Sequence, residues 1–166
     1  KHVICEKPLA RTIEEAAAMY EASRQSSAVH MVAFNYRRTP AIALAKRYIE
    51  EGAIGTILNF RATYLQDWSA DPTSPLSWRF QKEICGSGAV GDILTHVLDL
   101  ARYLAGEVTE VSAITNHIIT ERPLQQSGVD SLGNSKGGSD GPRGSVDVED
   151  EVMSLLKFES GAIGSV

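Results

Sequence analysis

Asp92-Ile93-Leu94-Thr95-His96-Val97-Leu98-Asp99 places an acid, a histidine and a second acid at offsets of four and seven. At about 100° per residue, those offsets return to nearly the same face of a helix. Ile93, Leu94, Val97, Leu98, Leu100, Ala101 and Leu104 cover most of the remaining circumference. A helix that is apolar nearly all round is a buried one. Buried polar groups cost free energy unless they are paired or used. The stripe therefore faces an internal polar network or lines a pocket. Read alone, His96 is a core histidine satisfied by Asp92 or Asp99. An ion shared by Asp92 and His96 is a further reading of the i, i+4 spacing. No third ligand stands at a recognisable spacing, so no metal is assigned.

Upstream, residues 2–5 read as the end of a short apolar strand, followed by Glu6-Lys7-Pro8. A lysine at a strand's carboxyl end, restricted by the next proline, sits where open α/β sheets bind ligands. Thr12-Ile13-Glu14-Glu15 matches a capping box, with Thr12 as N-cap and Glu15 reaching back. The helix it opens runs to about Ser26, and residues 29–34 form the next strand. This βαβ unit is the tail of a doubly wound sheet. Thr39-Pro40 opens a second helix, ended by Gly52. Residues 57–65 read as a strand of a new sheet, and 66–87 as irregular. The helix after Asp92 stops at Gly106. Strands follow at 108–118 and 149–158, with a hairpin turn at Ser160-Gly161. Residues 121–146, rich in Gly and Ser and without an aromatic side chain, predict a mobile loop joining two strands.

The fold class expected is α/β: the C-terminal end of a Rossmann domain (1–38), then an α+β domain (39–166) with an open, mostly antiparallel sheet. The chain opens inside a strand and stops where another starts, and is read as an internal fragment. Its net charge of −5 argues against nucleic acid as a partner. No apolar run long enough to cross a bilayer and no signal peptide is read, so no membrane partner is assigned. Cys5 and Cys85 show neither metal spacing nor a disulfide framework, which suits a reduced, cytoplasmic protein.

Gly86-Ser87-Gly88-Ala89-Val90-Gly91 fits the G-x-G-x-x-G pattern and precedes a helix. The context is wrong for a pyrophosphate loop. Residues 79–83 are not a buried parallel strand, and Asp92 would put a carboxylate where the diphosphate should bind. The glycines are expected instead to let the backbone pass close to cofactor or substrate. The true pyrophosphate loop is expected upstream of this chain.

Taken together, Glu6-Lys7-Pro8-Leu9-Ala10, Phe34-Asn35-Tyr36-Arg37 with Pro40, and Gly86 to Ile93 with His96 and Asp99 resemble the Gfo/Idh/MocA family of nicotinamide-dependent sugar and cyclitol dehydrogenases. Tyr64-Leu65-Gln66-Asp67-Trp68, then Trp78-Arg79, is similar to the inositol- and anhydrosugar-dehydrogenase branch. The resemblance implies NAD or NADP as cofactor, a small sugar or cyclitol as substrate, and a homo-oligomer (dimer or tetramer) through the outer face of the second domain's sheet. It assigns catalysis to Lys7, Asp92 and His96. Glu6, Lys7, Pro8, Asn35, Tyr36 and Arg37 would face the cofactor. Lys7, Tyr36, Gln66, Trp68, Asp92 and His96 would face the substrate. A non-catalytic sensor that keeps the fold is the rival reading.

The chemistry asks for these residue types. Oxidising a secondary alcohol requires a base within hydrogen-bond reach of the hydroxyl, and histidine titrates near neutrality. A cation beside the same oxygen stabilises alkoxide character, a role that Lys7 fits. Which of Lys7 and His96 formally takes the proton stays open. Trp68 and Trp78 among Gln66, Asp67 and Arg79 suit a polyol ring, with its CH faces and hydroxyl edges, and equally suit ordinary packing.

Overall fold

A computed structural model describes residues 1–124 and 141–166. Strand β1 (Val3–Cys5) pairs in parallel with β2 (His30–Val32), joined by helix α1 (Ile13–Arg24). The N-cap is Thr12, whose Oγ1 accepts from Glu15 N–H at 3.2 Å. The return half of the expected capping box is displaced by one residue. Glu15 reaches the backbone N–H of Arg11 at 3.0 Å and its guanidinium at 2.9 Å, because Arg11 offers a charged partner that Thr12 lacks. A single turn at Asn35–Arg38 leads into helix α2 (Pro40–Glu50), with proline at its tolerated first position.

Strand β3 (Asn59–Arg61) opens the second sheet and is shorter than the nine residues expected. Between it and the core helix lie a turn at Trp78–Phe80 and the short helix α3 (Lys82–Cys85). A π-turn at Val90–Leu94 runs directly into α4 (Thr95–Ala105). Strand β4 (Val108–Asn116) ends early because Asp150 Oδ2 accepts from the N–H groups of both Ile118 and Ile119. That side chain replaces the ladder partner with a charged acceptor.

The segment expected to be a loop over 121–146 is ordered at both ends. Strand β5 (Glu121–Pro123) pairs antiparallel with β6 (Arg143–Ser145), and Arg122 and Pro123 are buried. The middle of that stretch lies outside the described residues. Strand β7 (Glu151–Phe158) and β8 (Ile163–Ser165) follow, joined through Gly161 at φ +88°. The main sheet has the order β3-β8-β7-β4, antiparallel except for the β3–β8 pair.

Alternation along β7 sends Ser154, Leu156 and Phe158 inward and Met153, Leu155 and Lys157 outward. The inward side packs against α4, where Ala101, Leu156, Phe158 and Ala162 form the core with Phe60 and Leu98. Leu94, Val97 and Ala101 account for the helix's apolar character. Taken as one run, Lys82–Ala105 is long and apolar enough, by length and composition only, to pass for a membrane span. The run is not one straight helix. It breaks at Gly86 (φ +84°), and α4 is a core helix against the sheet.

Candidate active site

Lys7 stands just beyond the carboxyl end of β1, after which the Lys7–Pro8 peptide is cis. Its Nζ crosses to the π-turn, donating to Asp92 Oδ1 at 2.7 Å and to the Asp92 main-chain carbonyl at 2.8 Å. Residues 85 positions apart thus meet at one edge of an open crevice of about 1210 Å³. Glu6, Lys7, Pro8, Tyr64, Gln66, Trp68, Gly91 and Asp92 line it.

The polar stripe of the core helix separates into three partnerships. Asp92 goes to Lys7. Asp99, with its side chain 5 % exposed, receives both Nε and Nη2 of Arg37. His96 is satisfied by neither acid: the residue is 8 % exposed, and Nδ1 is buried with no hydrogen-bond partner among the described residues. Aromatic rings hold the imidazole. Tyr36 stacks on it at 4.4 Å between centroids, and Phe34 and Tyr64 present edges at 6.3 Å. Burial pushes the His96 pKa below the usual 6.5, and the charge of Lys7 adds to that; Asp92, Asp99 and Glu6 oppose it. The imidazole is therefore held neutral, the form that accepts a proton.

Tyr36 and Tyr64 share a hydrogen bond of 2.6 Å between hydroxyls. Gln66 Nε2 donates to Tyr64 Oη at 2.7 Å, and Trp68 Nε1 donates to Gln66 Oε1 at 3.0 Å. One chain of contacts thus runs from the ring over His96 to the tryptophan of the crevice. The bond to Tyr36 comes first among the causes that raise the Tyr64 pKa, followed by burial. Tyr64 heads the stretch that resembles the inositol- and anhydrosugar-dehydrogenase branch, but the sequence assigned it no role. Its place two positions before Gln66 on an extended segment was the available signal, since residues i and i+2 share a face.

Asn35 is exposed at the start of its turn. Arg37, expected toward the cofactor, instead gives its guanidinium to Asp99 and packs over the Tyr103 ring at 5.0 Å. The glycines also serve the chain itself. A Cβ on Gly88 would overlap the Glu149 carbonyl, and one on Gly91 would overlap Ser87 Oγ. Gly88 and Gly91 also line the crevice, so the close packing against Glu149 and Ser87 adds to their expected place beside a ligand. Glu149 closes the approach from the other side: its carbonyl accepts from Ala89 N–H at 3.0 Å and its carboxylate from Val90 N–H at 2.9 Å. A carboxylate thus already occupies the helix start where a diphosphate would have to bind.

Two family models match: an oxidoreductase-family, NAD-binding Rossmann fold over residues 1–34, and a Gfo/Idh/MocA C-terminal domain over residues 42–166. The chain belongs to the Gfo/Idh/MocA oxidoreductase family. It is 68 % identical over its whole length to levoglucosan dehydrogenase of Pseudarthrobacter phenanthrenivorans, covering 42 % of that protein. It is 30 % identical over its whole length to scyllo-inositol 2-dehydrogenase (NAD(+)) of Bacillus subtilis, covering 41 % of it. A solved structure of levoglucosan dehydrogenase with NADH and levoglucosan superposes on all of this chain with a TM-score of 0.88 at 63 % identity; 40 % of that chain is covered. The chain spans about two-fifths of the length of these relatives.

The crevice residues fit a nicotinamide and an alcohol, while His96 and Tyr36 lie behind its wall, in contact with the lining residue Tyr64. Glu6, Lys7 and Pro8, from the NAD-binding portion, border the same space as Asp92. The unpartnered Nδ1 of a buried, neutral imidazole lies one helical turn beyond Asp92. Among the described residues, no group of three or more His, Cys, Asp or Glu is placed to hold a metal ion.

Proposed function

We propose that the complete protein oxidises a secondary hydroxyl of a sugar or cyclitol, with NAD or NADP as the hydride acceptor. The observation that carries this reading is the Lys7–Asp92 pair beside a neutral His96. His96 takes the hydroxyl proton, and its lowered pKa keeps the ring ready for it. Lys7, oriented by Asp92, places a positive charge at the developing alkoxide. Asp92 has a second carboxylate oxygen with which to orient a substrate hydroxyl. Tyr64, Gln66 and Trp68 form the substrate side of the crevice, with Tyr36 behind Tyr64 and Trp68 offering a flat face to ring CH groups. When bound, the nicotinamide supplies the electrophilic carbon that receives the hydride, against Glu6, Lys7 and Pro8.

The 68 % identical relative favours an anhydrosugar over an inositol as substrate. The outward face of the main sheet exposes Ile114, Met153, Leu155 and Ile163, an apolar patch suited to a second copy of the same subunit.

The test is turnover by the complete protein with NAD or NADP, offered levoglucosan, myo-inositol and scyllo-inositol, followed by the absorbance of reduced nicotinamide. Levoglucosan oxidation that is lost in His96→Ala is the expected result. No reduction of either cofactor with any polyol would sink the reading in favour of a binding protein that keeps the fold.

A further inference from the structure

Arg122 has no accessible surface at all, and the chemistry above does not use it. It sits in the middle of β5, yet its guanidinium serves another part of the chain. Nη1 donates to the carbonyls of Asp71 at 2.8 Å and Ser74 at 3.5 Å, and Nη2 donates to the carbonyl of Ser69. The guanidinium also lies over the Phe80 ring, 4.1 Å from its centroid. Phe80 in turn packs against Trp68 at 5.8 Å, with ring planes 31° apart. Backbone bonding follows the same path, since Leu76 N–H donates to the Pro123 carbonyl at 2.7 Å.

This is a costly arrangement unless it holds something in place. Burying a guanidinium forfeits strong hydration, and here Nε has no hydrogen-bond partner among the described residues. The partners it does have are main-chain carbonyls of an irregular stretch, which has no ladder of its own to fix it. Only a planar fork of several donors binds three such carbonyls while stacking on a ring; a lysine ammonium does one or the other.

We propose that Arg122 is a positioning residue for polyol recognition. By fixing the carbonyls of 69–74 and the Phe80 ring, it sets the wall from which Trp68 and Gln66 meet the substrate. The role rests on the polyol-oxidising reading above, but its structural half can be measured without turnover.

The experiment uses the complete protein with two separate changes, Arg122→Lys and Phe80→Leu; the second removes the stacking surface and keeps the arginine. The KM for the polyol is expected to rise about tenfold, about 1.4 kcal/mol of binding, as Trp68 and Gln66 shift from their places. The turnover number and the dissociation constant for reduced nicotinamide are expected to stay within about threefold. Amide hydrogen exchange over residues 66–76 should quicken while that of α4 stays protected. An unchanged KM with unchanged exchange in 66–76 would overturn the proposal. So would exchange rising equally in α4 and the main sheet, or loss of the fold in both variants, since either makes Arg122 a global stabiliser. Wild-type protein that oxidises no polyol fails the function reading alone, and the exchange pattern still decides the role of Arg122.

Discussion

Lys7 Nζ grips Asp92 twice, at the carboxylate (2.7 Å) and at the main-chain carbonyl (2.8 Å). The double contact fixes the ammonium against the π-turn and not merely near a negative charge. The Lys7 side chain is 17 % exposed and that of Asp92 41 %, so the carboxylate keeps a face toward the crevice. The π-turn matters here: widening one turn lets the helix present Asp92 to Lys7 while α4 continues with His96 buried. A single stripe read at 100° per residue thereby becomes two differently aimed groups.

That geometry sets a pH dependence. A protonated His96 cannot accept the hydroxyl proton, so kcat/KM should fall as pH drops through the His96 pKa. Burial and Lys7 both lower that pKa, which places the acid limb below 6.5. Lys7→Met removes a cation and should move the limb to higher pH. Asp92→Asn removes an anion that raises the pKa and should move it lower. Profiles of log kcat/KM against pH for the three proteins check both signs. A wild-type limb at or above the ordinary histidine value would contradict the assignment.

His96→Ala should slow turnover by about 10²–10⁴-fold, the usual worth of a general base. The affinity for reduced nicotinamide should stay nearly constant, because His96 is proposed to meet the hydroxyl. Pre-steady-state turnover and a fluorescence titration separate the two. Near-normal turnover across pH in a folded variant would return His96 to a packing role and leave Lys7 as the proton acceptor.

Local pattern made much of this legible. Thr12, Pro40, Gly106 and Gly161 mark element ends where the structure has them, since caps and turns are decided within a few residues. The apolar circumference of the core helix read correctly as burial. What escaped was set by contacts across the chain. Arg122 looked like part of a Gly/Ser-rich loop, but its partners lie some fifty residues upstream. Arg37 looked like a cofactor ligand until Asp99, 62 residues on, took its guanidinium. Gly88 lines the crevice as expected, but its tight packing against Glu149 had no signal in the sequence. Sequence spacing carries no information about such pairings.

The Arg37–Asp99 pair supports stability. Arg37→Ala would leave the Asp99 carboxylate buried without its cation. Full burial of both partners would make that cost about 3–5 kcal/mol. The Arg37 side chain is 39 % exposed, so water reaches the pair and about 1–3 kcal/mol is expected. Adding Asp99→Asn to Arg37→Ala should recover part of the loss by removing the stranded charge. Urea denaturation of the single and double variants measures it. A double variant less stable than Arg37→Ala would mean that Asp99 has another essential partner.

Gly88→Ala tests whether the glycine-rich run serves the fold. The new methyl would overlap the Glu149 carbonyl and come within 3.1 Å of Val148 Cβ. Neither neighbour is free to withdraw: Glu149 is held by Ala89 and Val90 N–H groups, and Val148 belongs to a buried cluster with Phe80 and Val146. Overpacking of this kind costs about 1–3 kcal/mol. Because the clash lies four residues before Asp92, the Lys7 contact should loosen as well, and the KM for the polyol should rise together with the fall in Tm. Gly52→Ala is the control. Its φ is +71°, but nothing lies within 4 Å of the added Cβ, so only the backbone cost of about 1–2 kcal/mol applies and the KM should not move. Thermal melts and initial rates on both variants separate the two effects. Equal KM values for wild type and a folded Gly88→Ala protein would uncouple this glycine from the placement of Asp92.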